Sequence, residues 1–349
     1  MRVPCFLVLA MFALAAAGQV VPAATGSVTT LAPVRVSGEQ PGPGLWKVSS
    51  PAGHVLWVLG TLDPLPRGMQ WESREVRERL AQSKELLREP GLKLDAHLGF
   101  FGSLALLPRL IGIRNNPDGA RLADVVPPAT YARWLVLKAR YIGRSGKVEK
   151  WRPLFAGFRL YEAAIERIGL DRKGVVPLLV GAARQAGIPS TSTAYRVTVE
   201  DPKALVKDFK RERLDDVACF EAMLDRVDVD LARMSERASA WASGDLDTLR
   251  RLSGTSADVP CADAVSEAGF ARRLGLGDLE GKVREAWLAQ ARRALADDAS
   301  SFALLPIDQA LRPDGYLAAL VAEGYTVQPP DGDGPTDEAG PAGTASAGR

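Results

Sequence analysis

The feature that most restricts how this chain can fold is an arrangement that appears at both of its ends: an apolar, strand-like run closes on an aspartate and leads toward a helix. Near the start, Leu45-Trp46-Lys47-Val48 and His54-Val55-Leu56-Trp57-Val58-Leu59 flank the turn-prone Ser50-Pro51-Ala52-Gly53, the pattern of a hairpin. Gly60-Thr61-Leu62-Asp63 ends the second strand, and Pro64 and Pro66 prevent its continuation. Glu72 to Gln82 reads as a helix, with Val76 and Leu80 four residues apart on one face, and Leu86-Leu87-Arg88-Glu89 reads as a strand stopped by Pro90. Strand, crossover helix, strand predicts a parallel pair. Asp63 and Glu89 would then meet at the carboxyl ends, where open α/β sheets place ligands. Near the finish, Ser301-Phe302-Ala303-Leu304-Leu305 runs into Pro306-Ile307-Asp308. A helix over Gly315 to Ala322 follows, then a returning strand at Tyr325-Thr326-Val327.

The middle, from about Leu122 to Leu295, is mainly helical. Leu224, Val227, Leu231, Met234, Ala238 and Trp241 recur at alternating three- and four-residue spacing, which is a seam for packing against another helix. The fold class expected is therefore α/β (α+β): a central mixed sheet built from two strand-helix-strand units at the chain ends, with a mainly helical insertion. The expected organisation is a signal peptide over 1–18, a flexible lead-in over 19–44, one folded domain over 45–329 and a disordered tail over 330–349.

Export is expected from the first residues. Arg2 precedes an apolar run from Cys5 to Ala17, too short to span a bilayer, and Ala15-Ala16-Ala17-Gly18 offers small-residue cleavage sites. No later run approaches the length of a membrane helix. Cys5 would leave with the leader, so Cys219 and Cys261 remain as a pair that an oxidising compartment would join. The 44 Lys and Arg nearly balance the 42 Asp and Glu. That balance argues against a nucleic-acid partner, which calls for a basic stripe. Lys207, Lys210, Arg211 and Arg213 cluster, but acidic neighbours intersperse them, and the expectation is a solvated helix face.

The chemistry is narrowed by what the sequence lacks. It contains no GxSxG, SxxK, P-loop or HExxH pattern, and its only histidines are His54 and His97, so a His-rich zinc site is excluded. Both histidines read better as solvent-facing or structural than as catalytic.

Several segments resemble the TraB/GumN family. Leu45-Trp46-Lys47-Val48, Val58-Leu59-Gly60-Thr61-Leu62-Asp63, Pro66-Arg67-Gly68 and Trp71 are similar to its opening, and Glu89 matches the glutamate that ends its next strand. Lys150-Trp151-Arg152-Pro153-Leu154 and Gly169 to Val175 are similar to its central segment, and Gly324 to Val327 to its last strand. The resemblance implies a fold shared with secreted metal-dependent proteases. It also marks departures. Asp63 stands where the first Gly-x-x-His motif has His, and Leu305-Pro306-Ile307-Asp308 lacks both the Gly and the His of the second. Ser192-Thr193 lies near the usual Leu-Glu pair, and Val283-Arg284, three residues ahead of Trp287, replaces an Arg-Asn.

Three expectations follow. The first is a secreted or periplasmic, non-catalytic relative, which binds a protein or peptide partner in the envelope through the inherited cleft or a helical surface. The second is a metal-dependent, peptidase-like hydrolase in which Asp63, Glu89 and Asp308 converge. Such an all-oxygen site would suit manganese, calcium or magnesium. The third, a structural part in polysaccharide export, has no residue behind it. Against any site, each Asp can instead cap its following turn while Glu89 faces solvent.

Overall fold

A computed structural model describes residues 42–330 apart from 72, 97–99 and 254–257. The expected signal peptide, most of the lead-in, the tail beyond 330, His97 and Glu72 therefore lie outside the described residues. Ten strands are present among the described residues: β1 (Leu45–Ser49), β2 (Val55–Thr61), β3 (Leu65–Pro66), β4 (Leu86–Leu87), β5 (Leu92–Ala96), β6 (Leu170–Asp171), β7 (Ser190–Thr191), β8 (Tyr195–Val199), β9 (Ser300–Pro306) and β10 (Thr326–Gln328). Six of them form a central mixed sheet in the order β10-β1-β2-β9-β4-β7, and β1 alone runs against the others. Strands from both chain ends thus build one sheet, with the helical segment inserted between them, as the sequence pattern predicts.

The hairpin forms as expected. Ser50 N–H donates to the His54 carbonyl and Gly53 N–H to that of Ser50, at 2.9 Å each. His54 is a structural residue, its Nδ1 lying 3.0 Å from the Leu295 carbonyl oxygen. The expected pairing of β2 with β4 needs correction. The two strands are parallel, but β9 lies between them and pairs with both, Leu59 opposite Leu304 on one side and Leu86 opposite Phe302 on the other. From Ser301 to Leu305 every residue of β9 is buried, so the sheet is covered on both faces there. One cover is the helix Leu279–Asp297, whose Trp287, Leu288, Ala291, Ala294 and Leu295 recur with helical period. Asp278 caps that helix by accepting from Gly281 N–H at 3.0 Å, and Trp287 Nε1 donates to the Leu304 carbonyl at 3.3 Å.

The middle is helical except for β6, β7 and β8. The two-residue β7 extends the central sheet, β6 pairs with β3, and β8 pairs in parallel with β5 as a separate ribbon. The predicted apolar seam is buried along its whole length. It runs through helix Val217–Asp225, a wider π-type turn at Arg226–Asp230, a short 3-10 turn and helix Met234–Ser243. Leu224, Val227, Leu231 and Met234 belong to the core of the helical lobe, whereas Ala238 and Trp241 belong to the core of the sheet. The seam therefore joins the two halves. Cys219 and Cys261 form a disulfide within the helical lobe.

Candidate functional site

Because β2, β9 and β4 are parallel neighbours, their carboxyl ends open on one edge of the sheet, and the segments that follow them carry Asp63, Asp308 and Glu89. Gly60 permits that edge to close up. A Cβ there would lie 2.4 Å from Ile307 Cδ1 and 2.9 Å from Trp46 Cζ3. Trp241 Nε1 donates to the Gly60 carbonyl at 2.7 Å and its ring meets Trp71 edge-on at 5.3 Å, fixing helix Met234–Ser243 over the end of β2. Gly174, from the central segment, approaches from another side. It has φ +51°, and a Cβ on it would sit 2.5 Å from the Leu62 carbonyl oxygen and 3.2 Å from Asp63 Cβ. Gly174→Ala should destabilise the protein by about 1–3 kcal/mol, since left-handed backbone alone costs an L residue about 1–2 kcal/mol. Urea unfolding measures it, and a loss below about 0.5 kcal/mol would mean that the loop yields freely.

Asp63 and Glu89 follow strands two places apart in the sheet, and the charge of Asp63 reaches Glu89. Glu89 is half-buried and accepts a short hydrogen bond from the Thr61 hydroxyl. Burial, reinforced by the charge of Asp63, pushes its carboxyl above the usual range against the opposing pull of Thr61 and Arg88. Its backbone is pinned as well. The hydroxyl of the buried Thr193 reaches the carbonyls of Arg88 at 2.9 Å and Glu89 at 2.8 Å. Thr193, noted in the sequence as a departure from the family, thus positions the segment that carries Glu89.

Asp308 is engaged elsewhere. Arg237, buried on helix Met234–Ser243, donates from one guanidinium nitrogen to both carboxylate oxygens, at 2.8 and 3.1 Å, and the Ser253 hydroxyl donates to Oδ1 at 3.1 Å. Such a charge-assisted contact engages both oxygens and matches the negative charge that a cation would otherwise balance. Among the described residues, no three His, Cys, Asp or Glu side chains are grouped so that they could hold a metal ion. The donor set therefore does not fit the divalent cation that the family resemblance implies, and no step through a metal is derived from it.

Asp63 and Asp308, which follow the paired strands β2 and β9, instead line one cleft of about 530 Å³, inside the range of small-molecule sites. Helix Pro153–Arg167 contributes Phe158, Tyr161, Glu162 and Ile165, and helix Leu279–Asp297 contributes Leu279, Glu280 and Val283. Its charges are largely matched: Arg172 pairs with Glu162, Arg312 with Glu280, and the Arg226 guanidinium lies 4.7 Å from the centre of the Tyr161 ring. Tyr316, buried at the floor against Trp287 at 5.4 Å, has its hydroxyl pKa pushed up to about 12 by burial and then by Glu280, so it stays protonated. Phe158 is exposed and offers an apolar surface.

The sequence reading missed Arg237, Arg172, Arg226 and Glu162. Arg237 carried a signal. It lies three residues after Met234 and four before Trp241, on the buried face of the seam, where an unmatched arginine calls for a carboxylate. Arg172 and Glu162 carried none, because an exposed helix and a loop supply such residues routinely.

Residues 44–329 match the TraB/PrgY/gumN family. No curated protein matches the chain, and no solved structure does. The match spans the hairpin, the helical lobe that walls the cleft and the returning strand β10, and on that footing the chain belongs to the TraB/PrgY/gumN family.

Proposed function

We propose that this protein is an exported, non-catalytic member of its family that binds a peptide or protein segment in the cell envelope through the cleft at the sheet edge. The observation that carries this reading is the hold of Arg237 on both oxygens of Asp308. It converts a position able to ligate metal into half of an ion pair. The cleft that remains presents Phe158, Tyr161 and Val283 beside carboxylates and guanidinium groups, a mixture suited to an apolar side chain flanked by a polar backbone. Export is supported by Arg2 and the Cys5–Ala17 run, and by the Cys219–Cys261 disulfide, which belongs in an oxidising compartment. Among the described residues no helix is long and apolar enough to cross a membrane. The metal-dependent hydrolase reading keeps one observation, that the segments carrying Asp63 and Glu89 open on the same sheet edge, but requires Arg237 to release Asp308.

Thermal unfolding separates the two readings. A cation at 100 times its dissociation constant would stabilise the fold by about 2.7 kcal/mol. Manganese, calcium and magnesium should leave the midpoint where chelator leaves it, while members of a short-peptide library should raise it, and Phe158→Asp should abolish that rise. A chelator-reversible rise with an ion, lost in Asp63→Ala, would overturn the binding reading, as would a library without a stabilising member.

A further inference from the structure

Among the described side chains of the helix Phe100–Leu110, none belongs to an apolar core cluster. Leu104 is 55% exposed, Leu107 58% and Ile111, just past its end, 75%; the three fall on one face, and Ala105, Pro108 and Leu110 are exposed beside them. Apolar side chains this bare on a helix need a cover. The neighbouring helix Pro202–Arg211 determines which cover fits. Lys210 Nζ donates to the Ile111 carbonyl at 2.8 Å, binding the two helices end to side. A groove of about 610 Å³ beside this contact is lined by Arg109, Lys203, Lys207, Lys210 and Arg211, with Asp201 as its one acid. Asp201 is committed to capping its helix, accepting from the N–H groups of Lys203 and Ala204 at 3.0 Å. An apolar ridge therefore sits next to a groove whose lining charge is almost wholly positive.

We propose that this face docks on an anionic lipid bilayer. Leu104, Leu107 and Ile111 would enter the headgroup and acyl boundary, while Lys203, Lys207 and Arg211 meet lipid phosphates. A lipid surface presents an apolar interior and a sheet of negative charge side by side, with no demand for a matching protein contour. Of the cations read from sequence as a solvated helix face, Lys207, Arg211 and Arg213 are exposed, and the adjoining leucines give Lys207 and Arg211 this use.

Flotation of the full chain with vesicles tests it, comparing equal parts phosphatidylglycerol and phosphatidylcholine with phosphatidylcholine alone. The difference between the two vesicles cancels any partitioning by the Cys5–Ala17 run, which every variant shares. The protein should float with the anionic vesicles and sediment with the neutral ones. Lys203→Gln, Lys207→Gln and Arg211→Gln together should weaken that partitioning on the order of 100-fold. Leu104→Ser, Leu107→Ser and Ile111→Ser together should weaken it at least tenfold, with an unchanged unfolding midpoint because all three side chains are already exposed. Binding indifferent to lipid charge, absence of binding, or variants that float like the parent would overturn the proposal. So would a parent dimer that the serine variant converts to monomer, because a second copy would then be the cover.

Discussion

Lys138→Met should destabilise the protein by about 3–5 kcal/mol, the range for breaking a buried ion pair by removing one partner. Lys138 Nζ lies 2.7 Å from Glu149 Oε1, and the two side chains are only 11% and 4% exposed. Trp134 Nε1 donates to the same oxygen at 3.2 Å and the Tyr131 hydroxyl to the other at 3.1 Å. Methionine would fill the volume of the lysine and leave a carboxylate facing an apolar core. The pair sits beneath helix Pro153–Arg167, so the loss would also loosen the wall that presents Phe158, Tyr161 and Glu162 to the cleft. The pH dependence carries a definite sign. Burial alone would raise the Glu149 pKa, but the hydrogen bonds from Lys138, Trp134 and Tyr131 overcome it and hold the carboxyl below its ordinary value of 4.5. A carboxyl depressed in the folded state contributes stability that is present above the unfolded pKa and lost as pH falls through the folded one. The wild type should therefore weaken as pH drops below about 4.5, and Lys138→Met should lose part of that dependence. Urea unfolding at neutral and acid pH reads both effects. Lys138→Met with Glu149→Gln should recover much of the loss, since a neutral amide can still accept from Trp134 through its oxygen and donate its N–H to the Tyr131 hydroxyl oxygen. A single variant within 1 kcal/mol of wild type would mean that water reaches the pair.

The strands at both ends were legible because their apolar runs are continuous and end at glycine or proline, as strands buried on both faces must. Their neighbours were not. Whether β4 lies beside β2 or beside β9 depends on where a strand from the far end of the chain enters the sheet, and the local pattern of β2 and β4 does not carry that order. The two-residue β7 was unreadable for a simpler reason, since Ser190–Thr191 offers no periodicity to detect. The apolar exposure of Leu104, Leu107 and Ile111 was equally hidden, because apolar residues at helical spacing do not show in sequence which face the fold will cover.

At the site, the shared sheet edge was readable and the pairing was not. Asp63 and Glu89 open on the same edge because both follow parallel strands two places apart in the sheet, a consequence of topology. Asp308 follows the strand between them and is turned to Arg237, 71 positions away in sequence. That outcome depends on the angle at which helix Met234–Ser243 crosses the sheet edge, which Trp241 sets through its hydrogen bond to Gly60. Spacing alone places Asp308 beside the cleft, and only the crossing helix decides that its charge is spent within the protein.

Replacing Cys219 and Cys261 by alanine should lower stability by about 4 kcal/mol, the chain-entropy value for a closed loop of this size. The two positions are 42 residues apart, and the bridge joins helix Val217–Asp225 to helix Asp258–Ser266. Helix Val217–Asp225 is held independently, since Phe220 and Leu224 are buried in the helical core. Helix Asp258–Ser266 relies more on the bridge. Its described buried apolar contacts, Cys261 and Ala264, belong to a small cluster with Leu154, Cys219 and Met223. The residue after Cys261, Ala262, lines the cleft, so the bridge stabilises the fold and holds one wall of the site in place. The double variant should thus lose affinity for a cleft-bound peptide under conditions in which it remains folded, in addition to its lower unfolding midpoint. Adding reductant to the wild type should produce the same two changes, and adding it to the variant should produce neither. Full affinity in a folded, reduced protein would show that helix Asp258–Ser266 keeps its position without the bridge, and that the disulfide serves stability alone.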